Sequence, residues 1–207
     1  MWRKNKNAFF ILIVLLVLLN VSVLTLSAYA QWEIIDPPYV SPGWQLHGSY
    51  CTSSNEGWAV GENDSEGNGV LLHYLNGSWT AVTPPTPSYV DDRWTLERVH
   101  FTSPDNGWAV GYSWDTYRGG VILKYSNGVW TAIDPPYFGS STWTLNDVYF
   151  VSSNEGWAVG SIENKGLILH YSNGVWTFFP FPISSNWALE SVYFTSSSEG
   201  WAVGWLF

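Results

Sequence analysis

A single cysteine, Cys51, stands in the 207 residues, so no disulfide within the chain can staple the fold. Charge is scarce too. Only 12% of residues are Asp, Glu, Lys or Arg, and 8 basic side chains face 17 acidic ones. Setting aside Arg3, Lys4 and Lys6 near the N-terminus takes the formal charge from −9 to −12. A surface of that sign repels phosphate backbones and argues against nucleic acid as a partner, leaving an unidentified protein or a glycan. No Gly-rich phosphate loop, Ser-His-Asp signature or cysteine-nucleophile motif occurs, so no catalytic residue and no cofactor is assigned. What is abundant is aromatic: 15 Trp, 12 Tyr and 10 Phe, beside 19 Gly and 11 Pro. β-formers punctuated by turn-formers describe an all-β chain of many short strands.

The first thirty residues have the layout of an export segment. A basic stretch (Arg3, Lys4, Lys6) precedes the apolar run Ala8–Leu19, apolar character resumes to Leu26, and Ala28-Tyr29-Ala30 offers a cleavage point. Two readings follow: a signal peptide over residues 1–30, or an uncleaved membrane anchor over residues 8–26. Both place residues 31–207 outside the cytoplasm, secreted or anchored, with the membrane touched only through that segment. Cys51 is far from the cleavage point, which argues against lipid attachment there.

The remainder repeats. Gly-Trp-Ala-Val-Gly occurs at Gly57–Gly61, Gly107–Gly111, Gly156–Gly160 and Gly200–Gly204, at spacings of 50, 49 and 44 residues. Trp44, Trp94, Trp143 and Trp187 each stand two residues ahead of a Leu, in the same phase. Asn-Gly at 76–77, 127–128 and 173–174 is followed each time by Trp-Thr, and prolines end each unit. A period of 40–50 residues is that of a propeller. In the second unit, alternation predicts an inner strand through Val99 and Phe101, a second through Trp108-Ala109-Val110, a third over Val121–Tyr125 and a fourth over Val129–Ile133. Four antiparallel strands make a propeller blade. The units run approximately 44–86, 94–137 and 143–182, with a partial fourth over 187–207. Residues 31–38 match 129–136, so an outermost strand is expected to open the domain. An open arc or an incompletely closed four-blade ring is therefore expected, as a piece of a larger propeller or as a small ring.

The run Phe101-Thr-Ser-Pro-Asp-Asn-Gly-Trp-Ala-Val-Gly111, followed by Gly120-Val-Ile-Leu-Lys-Tyr-Ser-Asn-Gly-Val-Trp-Thr131, resembles the bacterial-neuraminidase-like repeats of the photosystem II stability and assembly factor-like propellers. The resemblance spans residues 31–207 and implies the propeller fold. Fold alone does not assign an activity. The photosynthetic members imply a basic, Arg-rich binding surface, and Arg93, Arg98 and Arg118 do not supply one here. The sialidase Asp-box is only approached by Tyr125–Trp130, which lacks the Asp and one residue of spacing.

Propeller geometry puts the loops between fourth and first strands, and between second and third, on one face. Trp44, Trp94, Trp143 and Trp187 stand at that rim, with Tyr39, Tyr89, Tyr137 and Phe138 in the loops. Just inside come His47, Glu97, Asn146 and Glu190, equivalent positions whose identities differ while the frame repeats. These eight tryptophan and inner positions are the candidate binding rim, and the four tryptophans have packing over blade ends as their competing role. A non-catalytic binding or scaffold module is the leading function. A carbohydrate-binding or sialidase-type propeller is the alternative, and a fragment of a larger propeller a third.

Other residues are read structurally. Trp58, Trp108, Trp157 and Trp201 are expected to fill the gaps between blades. Cys51 aligns with Phe101, Phe150 and Phe194 and is expected in the core. His73 and His170 share a position with Lys124 and are expected on a solvated face. His47 and His100 form no metal pattern. Glu62, Asp64 and Glu66 alternate in a loop that faintly suggests calcium, though no bidentate Glu follows at the required distance, so a plain hairpin is the better reading.

Overall fold

The computed structural model describes residues 34–40, 42–90, 93–114, 119–139, 141–180 and 186–206. The expected signal or anchor lies outside these, as do residues 31–33 of the expected opening strand; residues 34–40 have no regular structure. The unit described below begins at Asp36.

Among the described residues, three four-stranded antiparallel sheets and one two-stranded sheet follow one another along the chain. The first holds β1 (Trp44–Ser53), β2 (Glu56–Asn63), β3 (Gly69–Leu75) and β4 (Ser78–Val82). The second holds β5 (Trp94–Ser103), β6 (Asn106–Ser113), β7 (Gly120–Ser126) and β8 (Val129–Ala132). The third holds β9 (Trp143–Ser152), β10 (Glu155–Ile162), β11 (Lys165–Ser172) and β12 (Val175–Phe178). The fourth is the hairpin of β13 (Trp187–Ser196) and β14 (Glu199–Leu206). Each sheet pairs its strands in sequence order, as a meander. The expected strands appear within a residue or so of their places; β8 stops at Ala132 rather than Ile133. Asn127 and Gly128 both adopt positive φ (47° and 90°), the two-residue type I′ turn that matches strand twist, and Asn76-Gly77 and Asn173-Gly174 do the same.

The inner strands β1, β5, β9 and β13 pack in succession, so the blades stand side by side. The arc stays open: the sheets remain separate, and β14 is exposed along its whole length.

Each residue of the Gly-Trp-Ala-Val-Gly motif has its own task. The first glycine leaves a seat for a Phe ring of the neighbouring strand: a Cβ at Gly107 would meet Phe101, and one at Gly156 would meet Phe150. The Trp then fills the gap to the next blade. Trp108 lies parallel to Phe150 at 4.9 Å and meets Trp176 edge-on at 5.5 Å. Trp58 meets Phe101, Tyr125 and Trp130 of the second blade in the same way. The Val is buried at Val60, Val110 and Val159. The final glycine belongs to the functional surface described below.

Blade position overrides the motif at the two ends. Trp58 and Trp108 are buried and Trp157 half-buried, but Trp201 is 57% exposed, with no further blade packed on it among the described residues. Cys51, expected in the core, is exposed. Its aligned residues Phe101, Phe150 and Phe194 are covered by the Trp of a preceding blade, and among the described residues no such Trp lies on Cys51. The expectation for His73, Lys124 and His170 is also corrected: these side chains are half-buried rather than solvated. His73 and His170 stack on Trp58 and Trp157 at 4.2 Å and 4.8 Å and meet Glu56 and Glu155, while the Lys124 ammonium sits 5.0 Å from the Trp108 ring.

Candidate binding surface on the inner strands

The final glycine of the motif makes the site possible. A Cβ at Gly61, Gly111, Gly160 or Gly204 would overlap the backbone carbonyl of Gln45, Thr95, Thr144 or Ala188 on the paired inner strand. That close approach accompanies a β-bulge in every blade. In the second blade Leu96 pairs with Gly111 and Arg98 with Val110, which leaves Glu97 as the extra residue. His47, Asn146 and Glu190 are the extra residues of the other three bulges. A bulge re-aims the side chain it releases from the ladder. The four inner positions singled out in the sequence are thus structurally equivalent by a specific backbone device.

Neighbouring bulge residues meet across blades. His47 Nδ1 lies 3.1 Å from Glu97 Oε1, with Thr95 Oγ1 3.3 Å from each. Asn146 Nδ2 donates to Glu190 Oε1 at 3.2 Å and to the Leu189 carbonyl at 2.8 Å. The Arg98 guanidinium donates to the carbonyls of His47 and Glu97 at 2.9 and 2.8 Å, so it ties two inner strands together. Asp147 does the same one blade on, accepting from Ser191 Oγ and the Val192 amide, both at 2.8 Å.

A second set of equivalent positions joins them: Glu62, Tyr112, Ser161 and Trp205, each directly after the final glycine. Glu62 lies 3.8 Å from His47 Nε2, and Trp205 Nε1 donates to Glu190 Oε1 at 2.8 Å. The Tyr112 phenol is pushed up to about 12, first by burial and then by the charges of Glu97, Glu62 and Glu190. Three carboxylates from three blades therefore act on one hydroxyl. Sequence reasoning passed over Tyr112, Ser161 and Trp205, although the signal was present: four different residues follow one invariant pentapeptide.

The tryptophans of the expected rim have a packing role. Trp94, Trp143 and Trp187 are buried, each laid over a glycine at the start of the third strand of the preceding blade, Gly69, Gly120 and, one residue in, Gly166. Trp44, over which no described glycine of another blade lies, is half-buried. None of the four offers a free face like those of Tyr39 and Tyr137, which are 76% and 91% exposed. Tyr89 is tied through its hydroxyl to the Ile133 carbonyl, and Phe138 packs edge-on against Trp143.

Two clefts open at this rim. One, of about 360 Å³, lies between the first and second blades, with Glu62, Asp64, Arg93 and the half-exposed Trp114 in its wall. The other, of about 550 Å³, lies between the second and third, with Tyr89, Asp134, Tyr137 and Trp143. The suspected calcium loop closes on itself instead. Asn63 Oδ1 accepts from the amides of Ser65 and Glu66, Asp64 accepts from Gln45, Glu62 turns to His47, and Glu66 is exposed. Among the described residues no group of three His, Cys, Asp or Glu side chains is placed to hold a metal. Arg118 lies outside the described residues.

No family model matches the chain, and no curated protein matches it. Among solved structures it is similar to YCF48 from Cyanidioschyzon merolae, at 15% identity and a TM-score of 0.55, covering 81% of this chain and 50% of that one. It also matches a structure of YCF48 bound to D1 peptide, at 17% identity and a TM-score of 0.43, covering 69% of this chain and 45% of that one. At this identity the likeness to the first is one of fold, and it agrees with the propeller that the repeat implied. The chain spans about half the length of the solved structures it matches.

Proposed function

We propose that this chain is a non-catalytic, extracytoplasmic binding or scaffold module that holds a partner protein against the inner strands of its blade arc. One observation carries the reading: a bulge built identically in every blade presents four different side chains, His47, Glu97, Asn146 and Glu190. Constant backbone with varied side chains is what recognition requires, since the frame positions groups without depending on their identity. The chemistry of the wall selects the partner. Glu62, Glu97 and Glu190 set its charge, while Arg98 is engaged with backbone carbonyls. A segment bearing Lys or Arg, with an apolar or aromatic side chain for the Trp114 cleft, fits that surface. The export-type residues 1–30 support placement outside the cytoplasm.

The test is binding of the full chain to an array of basic, acidic and neutral peptides. Basic peptides bind, and the double variant Glu97→Gln/Glu190→Gln weakens them at least about tenfold, as loss of charge-assisted contacts does. Its thermal unfolding stays unchanged. Turnover of a fluorogenic glycoside, abolished by either substitution, would overturn the reading in favour of a hydrolase. The second cleft supports a carbohydrate reading through the exposed Tyr137 ring beside Asp134. Glycan-array binding lost in Tyr137→Ala, with peptide binding intact, would favour it.

A further inference from the structure

Three turns of one design allow a comparison within the chain. Asn76-Gly77, Asn127-Gly128 and Asn173-Gly174 each join a third strand to a fourth, with both residues at positive φ. That backbone explains the Asn and the Gly in every blade. It does not explain what flanks them in the first. Residue 75 is Leu where the other blades have Ser126 and Ser172, and residue 78 is Ser where they have Val129 and Val175. Asn127 Nδ2 donates to Ser126 Oγ at 3.4 Å and Asn173 Nδ2 to Ser172 Oγ at 3.3 Å, whereas the Leu75 side chain offers Asn76 no acceptor. Both differences act on one atom. The Asn76 amide nitrogen is released, and its tripeptide becomes Asn-Gly-Ser, the acceptor pattern for an N-linked glycan.

We infer that Asn76 is a glycosylation site. The inference rests on the extracytoplasmic placement in the proposed function, since this modification is made on exported chains. Asn76 Nδ2 forms a bond to the anomeric carbon of an oligosaccharide carried on a polyprenyl diphosphate. The bond from that carbon to the diphosphate breaks, the polyprenyl diphosphate leaves with the electron pair, and the amide gives up one proton. The fold accommodates a glycan at this turn. Asn76, Gly77 and Ser78 are exposed, and a Cβ at Gly77 would meet nothing within 4 Å. The Asn76 amide donates to the Asn55 carbonyl at 2.8 Å, so the turn stands beside the one between β1 and β2, at the opposite end of the blade from the two clefts. A glycan there leaves the inner wall clear. The other Asn-x-Ser of the described residues, Asn63-Asp64-Ser65, is closed to it. Asn63 is 3% exposed, and its Oδ1 accepts from the amides of Ser65 and Glu66. A third, at Asn20, lies outside the described residues.

Mass spectrometry of the full chain, secreted from a cell that has an oligosaccharyltransferase, tests the site before and after enzymatic removal of N-glycans. One glycan is expected, on Asn76. Ser78→Val, which restores the residue type of the other blades, abolishes it. Val129→Ser makes the same pattern at Asn127, and because Val129 is exposed the fold tolerates the change and a second glycan appears there. Ser78→Val unfolds at the same temperature as the enzymatically deglycosylated parent, which separates loss of the acceptor from loss of the fold. A secreted chain that is bare at Asn76 would overturn the inference and leave the binding module standing. A bare chain retained inside the cell would count against the extracytoplasmic placement instead. The same chain behind a secretion signal of established function then decides: Asn76 emerges glycosylated if the inference holds, and bare if it does not. Glycan on Asn63 of the folded, secreted protein would overturn the selection by the fold.

Discussion

Replacing Trp108 by Ala isolates what one blade joint contributes. Trp108 is 1% exposed, parallel to Phe150 at 4.9 Å, edge-on to Trp176 at 5.5 Å and 5.0 Å from the Lys124 ammonium. A buried aromatic of this size removes about 150–250 Å² from water, about 4–6 kcal/mol as an upper bound. Measured truncations of buried Phe and Trp cost about 3–5 kcal/mol, and the lost cation–π contact lies within that figure. Trp201 occupies the same motif position but is 57% exposed, so the same substitution there costs about 2 kcal/mol at most. Urea unfolding followed by circular dichroism avoids the fluorescence change that losing a Trp brings. Equal losses at 108 and 201 would refute the reasoning, because the motif would then stabilise each blade internally rather than joining it to the next. A loss of under about 1 kcal/mol at 108 would refute it too, since cavity formation at so enclosed a site cannot be that cheap.

His100 gives the fold a pH response. Burial pushes its imidazole down from 6.5 to about 4, between the rings of Tyr50 and Tyr149. The unfolded chain takes the proton first, so stability from this group is complete above pH 6.5 and falls as pH drops towards 4, by about 3 kcal/mol at the limit. Urea midpoints across that range detect the slope, and His100→Tyr, matching the other three blades, flattens it; an unchanged slope would contradict the assignment. Gly111→Ala places a methyl against the Thr95 carbonyl and costs about 1–3 kcal/mol, as overpacking does. It also shifts the NMR signals of His47 and Thr95 by displacing Glu97; neither change would be seen if the bulge could form without the glycine.

The blade was legible because its marks are local. The Asn-Gly turns, the prolines and the alternation in β5 to β8 depend on neighbours a few residues away. The equivalence of His47, Glu97, Asn146 and Glu190 was legible too, since a repeat exposes which positions vary. That each is an extra residue in a bulge was not, because register belongs to a pair of strands and no single strand records it. The ends defeated sequence reasoning for a related reason. Cys51 and Trp201 carry the alignment of core positions, yet burial there depends on contact with a neighbouring blade, which alignment within one unit does not record. Trp44, Trp94, Trp143 and Trp187 looked like a rim because they precede the strands. The glycines that receive three of them, Gly69, Gly120 and Gly166, lie about twenty or more residues upstream on the preceding blade.

The bulges have a consequence for how this protein can change. A side chain released from the ladder owes little to its cross-strand neighbours, so replacing it leaves the pairing of both strands untouched. Glycine opposite, once fixed, permits almost any residue at 47, 97, 146 and 190. The inner surface is therefore a set of variable letters on a common frame, read in the neighbouring pairs His47–Glu97 and Asn146–Glu190, so libraries at those four codons are best varied pair by pair.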